Sequence, residues 1–310
     1  MLFLGLFSSC EKQVPYDFND FEQKIVVDCI VDNGMCKIYL SKNLSTLAPD
    51  TILSVDGAKI TINNILLTEQ SNMYKHIFSD LTEGDELELT ITKNQYPQAY
   101  AKDLVPSTPK FNISGAKIIS NSKRIVPFAF NDIYQIDILI DDVKKKSQDI
   151  YIIELIKTRM AMDVNYNPDT GLWEDKLIKY IWPEVFYIED NAANIADVGY
   201  LDFRLNKTEF TLDDDLITPY AWIIPDKTFD GQNKVVSLYC RQDDFYQNIE
   251  IKVSTINSGY YEFIQSVAAY HFNNPMFNEP VHIKSNINNG LGYFGIKVTT
   301  TDSIKINTIK

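Results

Sequence analysis

The stretch Asp85–Thr92, DELELTIT, sets Leu87, Leu89 and Ile91 against Glu86, Glu88 and Thr90. A period of two is the signature of a strand, because successive side chains leave opposite faces of the backbone. The pattern recurs along the first third of the chain. KIVVDCIV (24–31) and MCKIYLSK (35–42) flank Asp32-Asn33-Gly34, a strong hairpin turn signal. GAKITINN (57–64) places Ala58, Ile60 and Ile62 on one side, NMYKHIF (72–78) follows a polar turn, and AYAKDLV (99–105) stops at Pro106. Short strands separated by turn residues predict an immunoglobulin-like β-sandwich over residues 21–105. The 18 Tyr, 17 Phe and 3 Trp agree with this, since large flat side chains pack well on pleated surfaces.

VPSTPK (105–110) carries Pro106 and Pro109 and reads as a linker, because proline cannot donate to a ladder and stiffens the chain. Residues 110–310 then read as a second antiparallel β domain carrying one amphipathic helix. YQIDILIDD (134–142) puts Tyr134, Ile136, Ile138 and Ile140 on one face. IYIIELIKTRMAM (150–162) is a long apolar strand or strand pair. VVSLYCR (235–241) and NIEIKVSTI (248–256) look like partners across QDDFYQ. Residues 163–200 read as long polar loops with a strand at KLIKYIW (176–182). The helix is expected near 258–272. From Ser258 as N-cap, the residues Tyr260, Phe263, Ile264, Val267, Ala268 and His271 form a single stripe, and Pro275 ends it. The expected fold class is therefore mainly β, an immunoglobulin-like sandwich followed by a second antiparallel β domain with one helix.

The first residues, MLFLGLFSSC, form a short apolar run that ends in small residues and a cysteine. This pattern matches a secretory signal closing in a lipobox. Residues 1–20 then read as a signal remnant, a lipobox and a polar tether, with Cys10 the mature, acylated N-terminus. No basic stretch precedes Leu2, so the natural start is expected further upstream. Acyl chains of the palmitate type would hold the body durably on a membrane. Cys29 and Cys36 share the face of Val27, Val31, Ile38 and Leu40. They are opposed or diagonal according to turn register, and read as two buried thiols in preference to a bridge. Cys240 reads as core.

A net charge of −13 argues against binding to phosphate backbones. The three histidines, His76, His271 and His282, show no ligand spacing, and His76 and His271 read as structural. Gly290, Gly292 and Gly295 follow a helix and precede a strand, the reverse of the order that aims helix amides at phosphate. They read as a tight turn or bulge. Asp213–Asp215 and the pair Asp226 and Asp230 lack calcium-loop spacing and read as solvated turns. No nucleophile elbow, zinc-protease motif or Cys/His pair is present, so no catalytic residue, metal ligand or cofactor site is assigned and the chain is read as a non-enzyme. The residues best suited to touch a ligand are the aromatics Trp173, Tyr180, Trp182 and Tyr187, read as lying on loops.

The order of these segments resembles a known family. The lipobox-like cysteine is followed by KIVVDCIVDNG, CKIYLSK, VDGAKITI, EGDELELTI and YAKDLVP. Downstream come FDGQNKVVSL, GYYEFIQS and NPMFNEPVHIKSNINNGLGYFG, with Met276 the one departure from the closing pattern. The chain resembles the Bacteroidota lipoproteins grouped as domain of unknown function 4249. The resemblance implies an outer-membrane lipoprotein encoded beside a TonB-dependent receptor, with an accessory or ligand-binding role in uptake. The implied partners are the outer membrane, through the anchor, the receptor, and a small ligand, glycan or peptide. The family carries no catalytic residues. Acidic residues after the lipidated cysteine are linked to surface export in these bacteria. Glu11 is followed by Lys12, so the periplasmic face stays open beside the preferred cell surface. The alternative from another class is a structural or adhesive surface lipoprotein. A hydrolase would require a cleft with two close carboxylates.

Overall fold

The computed structural model describes residues 22–43, 53–70, 73–120, 132–142, 149–167, 172–184, 186–189, 199–201, 221–226, 229, 231–243, 245–272 and 282–309. Within them the chain is mainly β. The first half carries β1 (Ile25–Asp32), β2 (Met35–Lys42), β3 (Lys59–Ile62), β4 (Ile65–Leu66), β5 (Thr68–Gln70), β6 (Met73–Ile77), β7 (Glu86–Thr92) and β8 (Ala99–Leu104). The second carries β9 (Phe111–Ile119), β10 (Ile133–Asp141), β11 (Ile150–Asn167), β12 (Leu172–Pro183), β13 (Phe186–Glu189), β14 (Gly199–Leu201) and β15 (Ala221–Pro225). It continues with β16 (Asn233–Arg241), β17 (Asn248–Ile256), α1 (Ser258–Phe272) and β18 (Leu291–Lys305).

One large sheet organises the molecule. Its order is β14-β15-β11-β17-β18-β1-β2-β6-β5, with β12 also paired to β11. Two four-stranded sheets, β4-β3-β7-β8 and β13-β16-β10-β9, cover the same face of it side by side. The alternation seen in the sequence places the cores. Val27, Cys29 and Val31 of β1 and Cys36, Ile38 and Leu40 of β2 meet Ile60, Ile62, Leu87, Leu89 and Ile91 of the first small sheet. Ile249, Ile251 and Val253 of β17, with Tyr151, Ile153 and Leu155 of β11, meet Ile136, Ile138, Val236 and Leu238 of the second. Burying each such aliphatic side chain contributes roughly 1.5–3 kcal/mol.

Strand β18 joins the two halves. Its Phe294 and Ile296 belong to the first core, while Ile304 and the following Ile306 pack on the second. Residues 291–298, assigned by sequence to the second domain, thus complete the first. A local pattern cannot show this, because β18 pairs with β1 in parallel across more than 260 residues (Val27 with Gly292, Asp32 with Lys297). The approach is close. Gly292 has φ +93°, and a Cβ there would lie 2.0 Å from the Val27 carbonyl oxygen. The glycine-rich stretch is therefore a packing device at the head of a strand.

Four further expectations are corrected. VVSLYCR and NIEIKVSTI are not partners: β16 pairs with β10 and β13, while β17 pairs with β11 and β18 in the facing sheet. The two strands form opposite walls of one core, and the intervening turn crosses between sheets. Residues 105–110 are no free linker. Pro106 and Pro109 are buried, Thr300 donates to the Pro109 carbonyl at 2.8 Å, and Thr255 donates to Ser107. β11 and β12 form a long hairpin, described below: the strands expected at 150–162 and 176–182 are present, and 163–167 and 172–175, expected as loop, extend them. The helix spans 258–272 as expected, but its cap is Asn257 in place of Ser258. Tyr261 N donates to Asn257 O, and the Asn257 amide reaches Asp103 on β8. Of the expected stripe, Tyr260 and Ile264 bury against Ile150, Ile152, Ile223 and Tyr293 with Phe263 packed beside them, on the face of the large sheet opposite the two cores, while the side chains of Ala268 and His271 lie outside the described ones.

Cys29 and Cys36 are free and buried, with Sγ atoms 3.9 Å apart. The register offsets them diagonally, Cys29 facing Ile38 and Cys36 facing Val31. Cys240 is core, and burial pushes its thiol up to about 12.

Candidate functional site

The open face of the large sheet holds a polar groove of about 540 Å³ beside the helix. Its floor is a consequence of strand alternation. In β1 the odd positions enter the core, so Asp28, Ile30 and Asp32 face outward. By the same rule β2 contributes Met35, Lys37 and Tyr39, β18 contributes Tyr293, Lys297, Thr299 and Thr301, β17 contributes Lys252, and β11 contributes Glu154. The register aligns them in rows: Tyr39–Asp28–Tyr293, Met35–Asp32–Lys297 and Glu154–Lys252–Thr301.

The charges balance, with three carboxylates and three ammonium groups lining the groove. Lys297 Nζ lies 3.2 Å from Asp32 and 3.6 Å from Glu154. Burial works against the Lys297 charge, but Glu154 and Asp32 outweigh it and its pKa is raised. Asp28 is raised by burial, partly offset by the Tyr293 hydroxyl, which donates to it at 2.5 Å. Tyr293 is held in turn by Tyr260, stacked at 5.2 Å between ring centroids, and by Phe263 at 4.2 Å. The Asn33-Gly34 turn locks onto the same strand. Thr299 N donates to the Asn33 side chain at 2.7 Å, and the Asn33 amide returns a bond to Thr299 O at 3.0 Å. Thr299 also donates to Asp32 at 3.1 Å. The groove is thus preorganised by backbone ladders and a side-chain network rather than by loops. Lys297 sits between two carboxylates, which makes this an ion-pair network and not an acid–base couple.

A second cluster lies at the far end of the strands. One oxygen from each of Asp142, Asp149 and Asp226 lies within 4.8 Å of the others. Asp142 and Asp226 are buried, a correction to the solvated-turn reading of Asp226. Gly231 N donates to Asp142 and Asp149 N to Asp226, both at 3.0 Å. Burial, with added repulsion from these carboxylates, raises the Tyr151 hydroxyl. Three such oxygens could contribute to a hard-cation site. The sequence did not reveal it because the acids come from three separate segments.

The aromatics singled out by sequence do not form one site. Trp173, Tyr180 and Trp182 lie on one strand, β12, while Tyr187 lies on β13 in the other sheet, half-buried against Ile133 and Tyr239. Tyr180 has the Arg159 guanidinium 4.8 Å from its ring centre, and Trp182 is exposed. His76 is half-buried, edge-on to Phe78 at 4.5 Å. Cys10, the tether, Asp213–Asp215, Asp230 and the segment around Pro275 lie outside the described residues.

A family model described as domain of unknown function DUF4249 matches residues 11–303. The chain belongs to this family. The match takes in the first core, the groove residues, all of β18 but its last two positions, and the second core except Ile304, Ile306 and Ile309 in this DUF4249 chain. No curated protein matches it. Among solved structures, the collagen adhesin of S. aureus is 8% identical, with 92% of this chain and 94% of that chain covered and a TM-score of 0.17. A structure described as manganese lipoxygenase of Gaeumannomyces graminis with partial zonadhesin of Komagataella pastoris is 10% identical. It covers 75% of this chain and 88% of that one, with a TM-score of 0.18. Superpositions this poor carry no argument about the DUF4249 fold or its activity. No helix among the described residues is long and apolar enough to cross a membrane.

Proposed function

We propose that the protein is a lipid-anchored accessory subunit of an outer-membrane TonB-dependent transporter, and that it binds a polar ligand in the groove on the large sheet. The observation that carries the binding role is the Asp28–Tyr293 and Asp32–Lys297–Glu154 network, a polar surface fixed by five adjacent strands. Its matched charges favour a ligand without net charge that can both give and accept hydrogen bonds, such as a glycan or a peptide backbone. Tyr39, exposed at the end of the row, offers a stacking face. The anchor is Cys10 and the expected location is the cell surface. No hydrolytic role is assigned, because the paired carboxylates are already committed to Lys297.

The test is purification of tagged protein from outer membranes. Recovery of an acylated Cys10 together with a TonB-dependent receptor supports the reading. Recovery without a receptor overturns the transport role, and an unmodified Cys10 thiol on protein found in the cytosol overturns the whole account. The alternative, a structural or adhesive surface lipoprotein, draws on the exposed apolar hairpin, and the absence of a neighbouring receptor gene would favour it.

A further inference from the structure

We propose that the β11–β12 hairpin is a dimerisation arm, and that its apolar face packs against the same face of a second copy of this chain.

Beyond Thr158, β11 leaves β17 behind and pairs only with β12 among the described residues. The ladder continues to Asn167 opposite Leu172. An isolated two-stranded ribbon is marginal in water. This one also presents apolar side chains to solvent. Met160, Met162 and Val164 on β11 are 41%, 62% and 54% exposed, and Leu177 and Ile181 on β12 are 57% and 58% exposed. The register puts all five on one side, Met162 facing Leu177 and Ile181 facing Thr158, and places Lys179, ion-paired to Glu250, opposite Met160 and Asp175 opposite Val164. The opposite side is covered differently. There the Arg159 guanidinium lies 3.5 Å from the Phe245 ring centre and 4.8 Å from that of Tyr180.

Exposed apolar side chains grouped on one face, here around the Lys179–Glu250 ion pair, mark an interaction surface. Charge points to a second copy. The chain carries −13 overall, yet the ribbon strands beyond Thr158, residues 159–167 and 172–180, hold three cationic and three acidic residues. Two copies meet with least repulsion there.

Geometry is compatible with a second tethered copy. β1 and β18 run in parallel, with Val26 beside Leu291. Lys305 faces Asn248, which faces Thr158, and Asn167 lies nine residues further on. At ~3.3 Å per residue the ribbon tip stands roughly 80 Å along the strand axis from the start of β1. The fifteen residues from Cys10 to Ile25 reach at most about 50 Å. With the strand axis upright on the membrane, an orientation that rests on the proposed anchor, the ribbon stands clear of the bilayer. Two copies tethered to one membrane project their ribbons side by side, and a two-fold axis along the ribbons brings like face to like face. Confinement to a membrane raises their effective concentration further.

The test uses the full chain with Cys10→Ser, so that its outcome does not depend on lipidation. Sedimentation velocity over a concentration series should show a monomer–dimer equilibrium. The double variant Met162→Glu, Leu177→Lys should weaken it at least tenfold while leaving the melting temperature unchanged, since both side chains are exposed. If that variant unfolds, the Val164→Cys chain decides, because a short bismaleimide should link two copies through residue 164 and should not link a Leu66→Cys control. A monomer at every concentration, a dimer untouched by the double variant, or equal cross-linking of the control overturns the proposal. So does co-sedimentation with phosphatidylethanolamine vesicles that the double variant abolishes, which would assign the face to lipid.

Discussion

At the scale of single residues the strongest constraint is Gly292. An alanine there would need a left-handed backbone and would place its Cβ within 2.0 Å of the Val27 carbonyl. Gly84 also has positive φ, at +86°, but nothing lies within 4 Å of a Cβ built on it. Gly84→Ala should cost about 1 kcal/mol from backbone conformation alone. Gly292→Ala should cost about 3–5 kcal/mol, because the parallel pairing of β1 and β18 must separate. Urea unfolding of the two variants measures the contrast, and equal losses would refute the role given to Gly292. Asp103 supplies a pH signature. Burial raises it to about 6, against bonds from Asn257, Leu104 and Ile296 that lower it, and its Oδ2 is buried without a hydrogen-bond partner. The folded pKa exceeds the unfolded one, so the folded state binds the extra proton and stability falls as pH rises from about 4 to about 6. The loss approaches about 3 kcal/mol. Asp103→Asn should flatten this part of the stability–pH curve and stabilise the protein at pH 7, as denaturant titrations across that range would show.

At the scale of elements, legibility followed burial. Strands with one buried face announced themselves: Leu87, Leu89 and Ile91 in β7, or Ile136, Ile138 and Ile140 in β10, alternate cleanly and are all buried. Residues 163–167 and 172–175 of the β11–β12 ribbon read as loop because they are polar and rich in Asn and Asp, which favour turns. The groove was invisible for a different reason. Asp28 and Asp32, Glu154, and Lys297 look like ordinary outward residues of three separate strands. Only the parallel pairing of β1 with β18, joined through β17 to β11, brings them together. The one available sign was that these outward positions are charged rather than neutral polar. Lys297→Met should cost about 2–4 kcal/mol, since Glu154 and Asp32 then face each other without a cation in a partly buried site. Denaturant titration checks the loss, and Lys297→Arg, which keeps the charge, should recover part of it. An equal loss in both variants would show that packing, not charge, is what Lys297 provides.

At the scale of the whole molecule, the boundary read at residues 105–110 marks where the chain passes from one small sheet to the other. It does not separate two self-sufficient bodies. Ile287, Phe294 and Ile296 fill the first core from the far end of the chain. A fragment comprising residues 21–105 should therefore fail to unfold cooperatively in calorimetry, and a sharp transition would contradict the shared-sheet architecture. Contacts at such sequence separation also predict slow folding, on the scale of milliseconds to seconds or longer. There is a consequence for biosynthesis. As the polypeptide is made from its N-terminal end, neither hydrophobic interior can close until the ribosome has passed residue 291. The nascent chain thus stays loose throughout synthesis, the state that the proposed export through a secretion channel would require.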